Sequence, residues 1–251
     1  MIVESQKFGL KSILILLDDA RVESVIASKK YQQIIFTSYR HWNKAQFTLR
    51  EKTTALIPLR QSEEEIFSRF NDTTRNEIRK SQKLPDLQIV TAAAVEEESY
   101  DLYQKFEYSQ QRVPTAKKKL SDCLFFGAYY RGQLISGIYL MDCRPYLRIR
   151  SIFSVRLQQD DPELYKIISN ASRRLIWEIC LWGKQAGFES LDLASVNFKN
   201  PKTANITKFK MSFGGDVVPE YTYSYSSPLY HLFERLVKLK KFVLIFKKGL
   251  K

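Results

Sequence analysis

The chain has 251 residues, 44% hydrophobic and 13% aromatic, a balance that excludes an intrinsically disordered protein and allows one large domain or two small ones. Its 40 Lys and Arg against 27 Asp and Glu give a net charge of +13, which implies an anionic partner: nucleic acid, a nucleotide-bearing substrate or an anionic membrane surface. Three cysteines, Cys123, Cys143 and Cys180, are spaced neither as a disulfide framework nor as a metal site, and no apolar run approaches the roughly 20 residues that span a bilayer.

Buried thiols in a reducing cytoplasm are therefore expected, with no metal. The run 13–17 ends at Asp18-Asp19 without a cleavage pattern, so no signal peptide is expected. In chain order, residues 12–17 read as a buried-type strand and 20–29 as a helix that Asp18 or Asp19 caps. Residues 33–39 read as a strand. Residues 46–50 and 54–59 have hairpin character, with Glu51-Lys52 at the turn. Residues 1–60 thus form a partial N-terminal α/β unit packed on a main domain at 61–227.

Ser62 with Glu65 three residues on is a capping-box signature for a helix running to about Lys83. Arg75, Arg79 and Lys83 share one face of it, either as a solvated basic stripe or as contacts to phosphates. Residues 87–91 read as a strand, 95–111 as a helix with Tyr100, Tyr103 and Phe106 inward, and Lys117-Lys118-Lys119 as a basic loop. Residues 124–130 and 133–141 form a hairpin around Arg131-Gly132, and Gly137 permits a close approach or a bulge. Along 146–156, alternation puts Leu147, Ile149, Phe153 and Val155 on one face and Arg148, Arg150, Ser154 and Arg156 on the other, with Ile152 out of pattern. That arginine-rich face is either exposed or meets an anion.

Residues 169–185 have helical apolar spacing, Gly187 suits the helix end, and 190–193 read as a strand. Residues 200–212 are a short helix leading to Gly214-Gly215. Residues 216–225 are a strand with Tyr221, Tyr223 and Tyr225 on one face. From 228 to 251 the pattern is a basic amphipathic helix, suited to docking on the domain or to lying on an anionic membrane.

Two stretches carry a resemblance. "GFESLDL" followed by "FKMSFGG", with "SEEEIFSRFNDTTRNEIRKSQK" upstream, resembles the FemABX-like branch of the GNAT acyltransferase superfamily, the peptidoglycan-bridge aminoacyltransferases and their single-unit relatives. The resemblance runs from about Thr53 to Tyr225. Founding members carry two GNAT-like units, whereas this chain has room for one and a partial second. The resemblance implies an α/β (α+β) fold with a mixed, mostly antiparallel central sheet flanked by helices. It also implies an amide-forming acyltransferase with acyl-CoA or aminoacyl-tRNA as co-substrate, acting on an amine of a cell-envelope precursor such as an amino sugar or a peptidoglycan intermediate. Such an enzyme would be cytoplasmic or peripheral on the inner face of the membrane. Its partners would be an anionic nucleotide- or lipid-linked substrate and, for an aminoacyl donor, tRNA.

In such folds catalysis is positioning plus stabilisation of the oxyanion, so no activated enzyme nucleophile is needed. The resemblance places Lys210 facing the reacting centre and Asp192 as the strand aspartate, which orients groups, accepts a proton or holds neighbouring amides structurally. The tyrosine stripe reads as packing with polar tips or as bringing one ring, Tyr223, to the cleft. Arg75, Arg79, Arg148 and Arg150 become candidates for the anionic part of a substrate. The stretch 168–174 lacks the glycines of an acyl-CoA pyrophosphate loop; Asn170, Arg173 and Arg174, near an expected helix start, are the remaining phosphate contacts there. Lys208 and Gly214 complete the expected donor site. Two other readings stand beside this one: a non-catalytic GNAT-like module binding nucleic acid or membrane, and a soluble GNAT N-acetyltransferase for a small amine.

Overall fold

The computed structural model describes residues 1–156 and 159–233. The chain divides into two compact units: residues 1–52 with the segment from Pro219 onward, and Thr53–Val218. The N-terminal unit is therefore completed by residues from the far end of the sequence.

In that unit β1 (Ile2–Lys7) pairs antiparallel with β2 (Leu10–Leu16), and α1 (Asp19–Ser28) crosses over to β3 (Gln33–Ser38), parallel to β2. Strand β10 (Asp216–Ser226) adds antiparallel to β3 through Tyr221–Ser226. Ile13, Ile15, Val22, Val25, Phe36 and Tyr223 form the core. The pattern of the sequence shows no sign of β1, because Glu4, Ser5 and Gln6 are exposed on a strand that, among the described residues, pairs with β2 alone and needs no apolar alternation. Asp18 precedes α1 but makes no side-chain capping bond, and Lys29 ends the helix in the left-handed region.

The larger unit has strand order β4-β9-β8-β7-β6-β5, and all its pairings are antiparallel except β8 with β9. This is the mixed, mostly antiparallel sheet that the resemblance implies. Strand β4 (Thr48–Pro58) runs unbroken through Glu51-Lys52, where a hairpin was expected. That dipeptide carries no turn-forming Gly, Asn, Asp or Pro, so nothing local overrides the extended backbone.

The expected helix from Ser62 to Lys83 is two helices, α2 (Glu63–Ser68) and α3 (Asp72–Gln82). Ser62 makes the capping box with Glu65, and Asn71 supplies a second N-cap by accepting from the Thr74 amide. Strand β5 (Leu87–Ala93), α4 (Glu97–Ser109), β6 (Leu124–Tyr130) and β7 (Gln133–Cys143) follow. Leu134–Met141 of β7 is buried throughout, which marks a central strand covered on both faces. Gly137 serves a close approach: a Cβ there would lie 2.5 Å from the Phe153 ring.

Strand β8 (Tyr146–Ser154) contains a bulge. Tyr139 and Leu140 of β7 face Ser151 and Ile149, so Arg150 is the extra residue. Alternation restarts one residue out of step. Leu147, Ile149 and Ile152 join the core beneath α5 (Pro162–Gln185). Phe153 instead joins Tyr139, Tyr103 of α4 and Phe125, with ring centroids 4.8–6.5 Å apart. The face expected for Phe153 is corrected, and the anomaly at Ile152 is explained.

Helix α5 begins at Pro162, seven residues before the expected Ser169, with Asp161 as N-cap. Strand β9 (Ser190–Val196) and α6 (Ala204–Met211) complete the unit. Residues 228–233 are helical; the rest of the expected basic C-terminal helix lies outside the described residues. Among the described residues no helix is long and apolar enough to cross a membrane.

Candidate active site

The parallel ladder between β8 and β9 pairs Tyr146 with Ser190, Leu147 with Leu191 and Arg148 with Asp192, and stops there. Yet β8 continues to Ser154 and β9 to Val196. Two neighbouring strands thus part from Arg148 and Asp192 onward. Leu147 and Leu191 face the α5 core, so period-two alternation sends Arg148 and Asp192 to the opposite face.

At the point of parting the two side chains form an ion pair. Arg148 Nη1 donates to Asp192 Oδ2 at 2.5 Å, with side-chain exposures of 11% and 0%. A carboxylate so deeply buried needs partners, and Oδ1 accepts both from the Thr54 hydroxyl of β4 and from the Ala194 amide at 2.7 Å. The Ala194 bond requires an irregular backbone. Ala194 has φ 59°, and the β4–β9 register slips between Thr54 and Leu56, which pair with Ser195 and Asp192. One residue further on, the carbonyl of Ser195 accepts from Lys210 Nζ of α6 at 3.0 Å, and Lys210 is 9% exposed. Strand β9 therefore gathers a guanidinium, a carboxylate and an ammonium within four residues of chain.

Arg150, displaced by the bulge, donates to the Thr115 hydroxyl at 3.1 Å. The Thr115 amide donates to the Tyr103 hydroxyl at 3.1 Å, which fastens this loop to α4.

The other expected site residues lie elsewhere. Arg75 donates to the Ser68 and Phe70 carbonyls at 2.8 and 2.5 Å and pairs with Asp72, so it closes the joint between α2 and α3. Arg79 lies over the Phe67 ring at 5.3 Å. Arg173 and Arg174 were expected near a helix start but sit mid-helix, because α5 begins at Pro162. Arg173 pairs with Glu77 of α3 at 2.9 Å, and Arg174 pairs with Glu178 and donates to the Ser81 carbonyl. Burial lowers the Arg173 guanidinium from its ordinary range, and Glu77 partly offsets this. These two arginines tie α5 to α3, and Asn170 is half-buried on the same helix. Lys208 is exposed on α6. Tyr223 belongs to the N-terminal unit, where its ring stacks on Phe36 at 4.6 Å and its hydroxyl accepts from the Trp42 amide at 2.7 Å.

Gly214 has φ 63°, and a Cβ there would meet the Arg69 carbonyl oxygen at 2.1 Å. The Arg69 guanidinium in turn donates to the Gly214 carbonyl at 3.0 Å, the Asn71 amide donates to the Ser212 carbonyl at 2.9 Å, and Phe70 meets Phe213 edge-on at 5.2 Å. The two stretches that carry the resemblance thus pack on each other.

Thr54 is the contact that sequence reading missed. Its only signal is a hydroxyl immediately before a run, Ala55 to Leu59, that alternates as a buried strand. Among the described residues no group of three or more His, Cys, Asp or Glu is placed to hold a metal ion.

No family model and no curated protein matches the chain. Solved structures do. FemX aligns over 93% of this chain and 85% of its own, with a TM-score of 0.61 and 10% identity. The C-terminal domain of a putative lysylphosphatidylglycerol synthetase from Agrobacterium fabrum aligns over 93% and 83%, with a TM-score of 0.55 and 13% identity. The L-PGS structure from Bacillus licheniformis aligns over 89% and 80%, with a TM-score of 0.54 and 11% identity. At such identities the likeness is one of fold alone: the chain is folded like FemX and like these two further structures.

Proposed function

We propose that the chain is an acyltransferase that forms an amide on an amine of an anionic cell-envelope precursor, with aminoacyl-tRNA or acyl-CoA as donor. The observation that carries this reading is the parting of β8 and β9 at the Arg148–Asp192 pair, with the Lys210 ammonium held by the Ser195 carbonyl three residues further along β9. A parted pair of strands offers edge N–H groups to an acyl carbonyl, and such preorganised donors stabilise the oxyanion formed when an amine attacks. The nitrogen–carbonyl bond forms, the tetrahedral intermediate collapses, and the tRNA hydroxyl or CoA thiol leaves. The proton lost by the amine passes to water or to the leaving group.

In this scheme Lys210 offsets developing negative charge, and Arg148 and Arg150 attract the anionic part of the substrate. Asp192 is a positioning residue, because its carboxylate holds Arg148. Two of the solved structures with this fold are named for lysylphosphatidylglycerol synthesis or its abbreviation, which favours a second reading in which the acceptor is a lipid headgroup.

The test is a transfer assay on the full chain, using labelled aminoacyl-tRNA and labelled acyl-CoA against amino-sugar nucleotides, peptidoglycan precursors and phospholipid. Lys210→Met should keep the fold and lower transfer at least tenfold, the scale on which loss of one charge-stabilising group acts. Unchanged turnover would remove Lys210 from the site, and failure of every donor–acceptor pair would end the reading.

A further inference from the structure

The segment leaving β9 carries a feature that the transfer chemistry does not use. Phe198 is 63% exposed and Ile206 is 52% exposed. They are brought close by a clasp: the Asn197 amide donates to the Thr207 hydroxyl at 3.0 Å, and that hydroxyl donates back to the Asn197 carbonyl at 3.1 Å. Asn197 Oδ1 also accepts from the amides of Lys199 and Asn200, and Asn200 Oδ1 accepts from Lys202. The exposed pair, Phe198 in the loop and Ile206 in the first turn of α6, therefore belongs to a hydrogen-bonded segment. Around it Lys199, Lys202 and Lys208 are exposed. From Leu193 to Gly215 the chain has four lysines, no arginine and no acidic residue.

We infer that this loop docks the protein on an anionic phospholipid bilayer, with Phe198 and Ile206 entering the interface and Lys199 and Lys202 meeting headgroups. Exposed apolar side chains ringed by cations gain from both burial and the negative surface potential of such a membrane. A nucleic acid is the poorer fit. Ile206 has no face on which a base can stack, and a phosphate backbone offers no apolar phase to bury two exposed apolar side chains. The loop leads from Ser195 to Lys210, so docking would deliver a lipid-linked acceptor to the parted strands. That last step rests on the proposed function; the docking itself does not.

The experiment is sedimentation of the full chain with vesicles of equal phosphatidylglycerol and phosphatidylcholine, and with phosphatidylcholine alone. Two double variants are compared, Phe198→Ser with Ile206→Ser, and Lys199→Gln with Lys202→Gln. Both change exposed side chains, so thermal unfolding should match the wild type. The lysine variant should lose about fivefold affinity per lysine for the anionic vesicles and show a shallower salt dependence. The apolar variant should lose at least tenfold at every salt concentration. The sequence beyond residue 233 is the same in all three proteins, so the differences report on the loop. Wild-type binding in both variants, or wild-type binding to tRNA with none to vesicles, overturns the inference. Because the assay reads binding alone, its failure leaves the transfer reading standing, and a failed transfer assay leaves docking standing.

Discussion

Replacing Asp192 by asparagine tests whether the Arg148–Asp192 pair is a buried charge pair or a passing contact. The substitution keeps shape. The amide oxygen can still accept from Thr54 and from the Ala194 amide, but the amide nitrogen then faces Arg148 Nη1, donor against donor. With exposures of 0% and 11%, the guanidinium loses this carboxylate's charge in a site that water barely reaches. Breaking a buried pair from one side costs about 3–5 kcal/mol, and the retained Oδ1 bonds point to the lower end, about 3. In a chain of this size, about 2–4 °C of melting temperature goes with each kcal/mol, so the midpoint should fall by roughly 6–12 °C. Arg148→Met should also destabilise, because it takes the guanidinium away from a fully buried carboxylate. The double variant removes both charges and should cost less than the two single costs together, with a coupling of about 2 kcal/mol. Urea unfolding followed by the fluorescence of Trp177 and Trp182, both in the larger unit, supplies all four corners of the cycle. Additive single costs, with coupling under about 0.5 kcal/mol, would refute the pairing and the account of the parted strands built on it.

Gly214→Ala should destabilise by at least about 2 kcal/mol, because it adds left-handed backbone strain to a clash with the Arg69 carbonyl, whereas Gly215→Ala, whose nearest contacts are 3.2–3.4 Å, should cost clearly less; equal urea midpoints for the two would show that φ and the clash do not matter. The thiols should be silent in the native protein. Burial pushes Cys123 and Cys143 up to about 11 from an ordinary value near 9 and raises Cys180 as well, so a thiol reagent at pH 8 should react slowly with all three until the chain unfolds. A folded-state value above the unfolded one means that their contribution to stability is complete below pH 9 and is lost as the pH rises towards 11; a stability profile rising across that range would contradict the burial.

Where side chains obey a local period, the sequence announced the structure. The apolar spacing of α5, the Ser62 capping box and the turn between β6 and β7 all depend on neighbours within a few residues. Where a partner lies far along the chain, it did not. The bulge at Arg150 is defined by β7, and only the count across that strand shows that Ile152 and Phe153 have exchanged faces. The pairing of Arg148 with Asp192 spans 44 residues, and the Thr54 bond to Asp192 spans 138. Charge alone said least. Arg75, Arg173 and Arg174 read as cations awaiting phosphate, yet they hold backbone carbonyls and carboxylates that close helix joints. A guanidinium satisfies buried acceptors as readily as it attracts a ligand, and nothing in its spacing distinguishes the two uses.

That distinction bears on why a resemblance of motif and fold leaves the substrate open. The Phe213-Gly214-Gly215 stretch is recognisable because its geometry is demanding: Gly214 admits no side chain against Arg69, and Phe213 fits edge-on to Phe70. Those demands come from the joint between α2 and α3, and they act on packing. The charged groups at the parted strands are held differently. Lys210 rests on a main-chain carbonyl, and Asp192 takes one bond from a main-chain amide, which any sequence with this backbone can supply. The scaffold thus constrains its glycines and aromatics tightly, while loops such as 197–203 remain free to change partner. Substrate choice should then be read from the loop between β9 and α6, with its lysines and exposed Phe198, and not from the motif that first marks the fold.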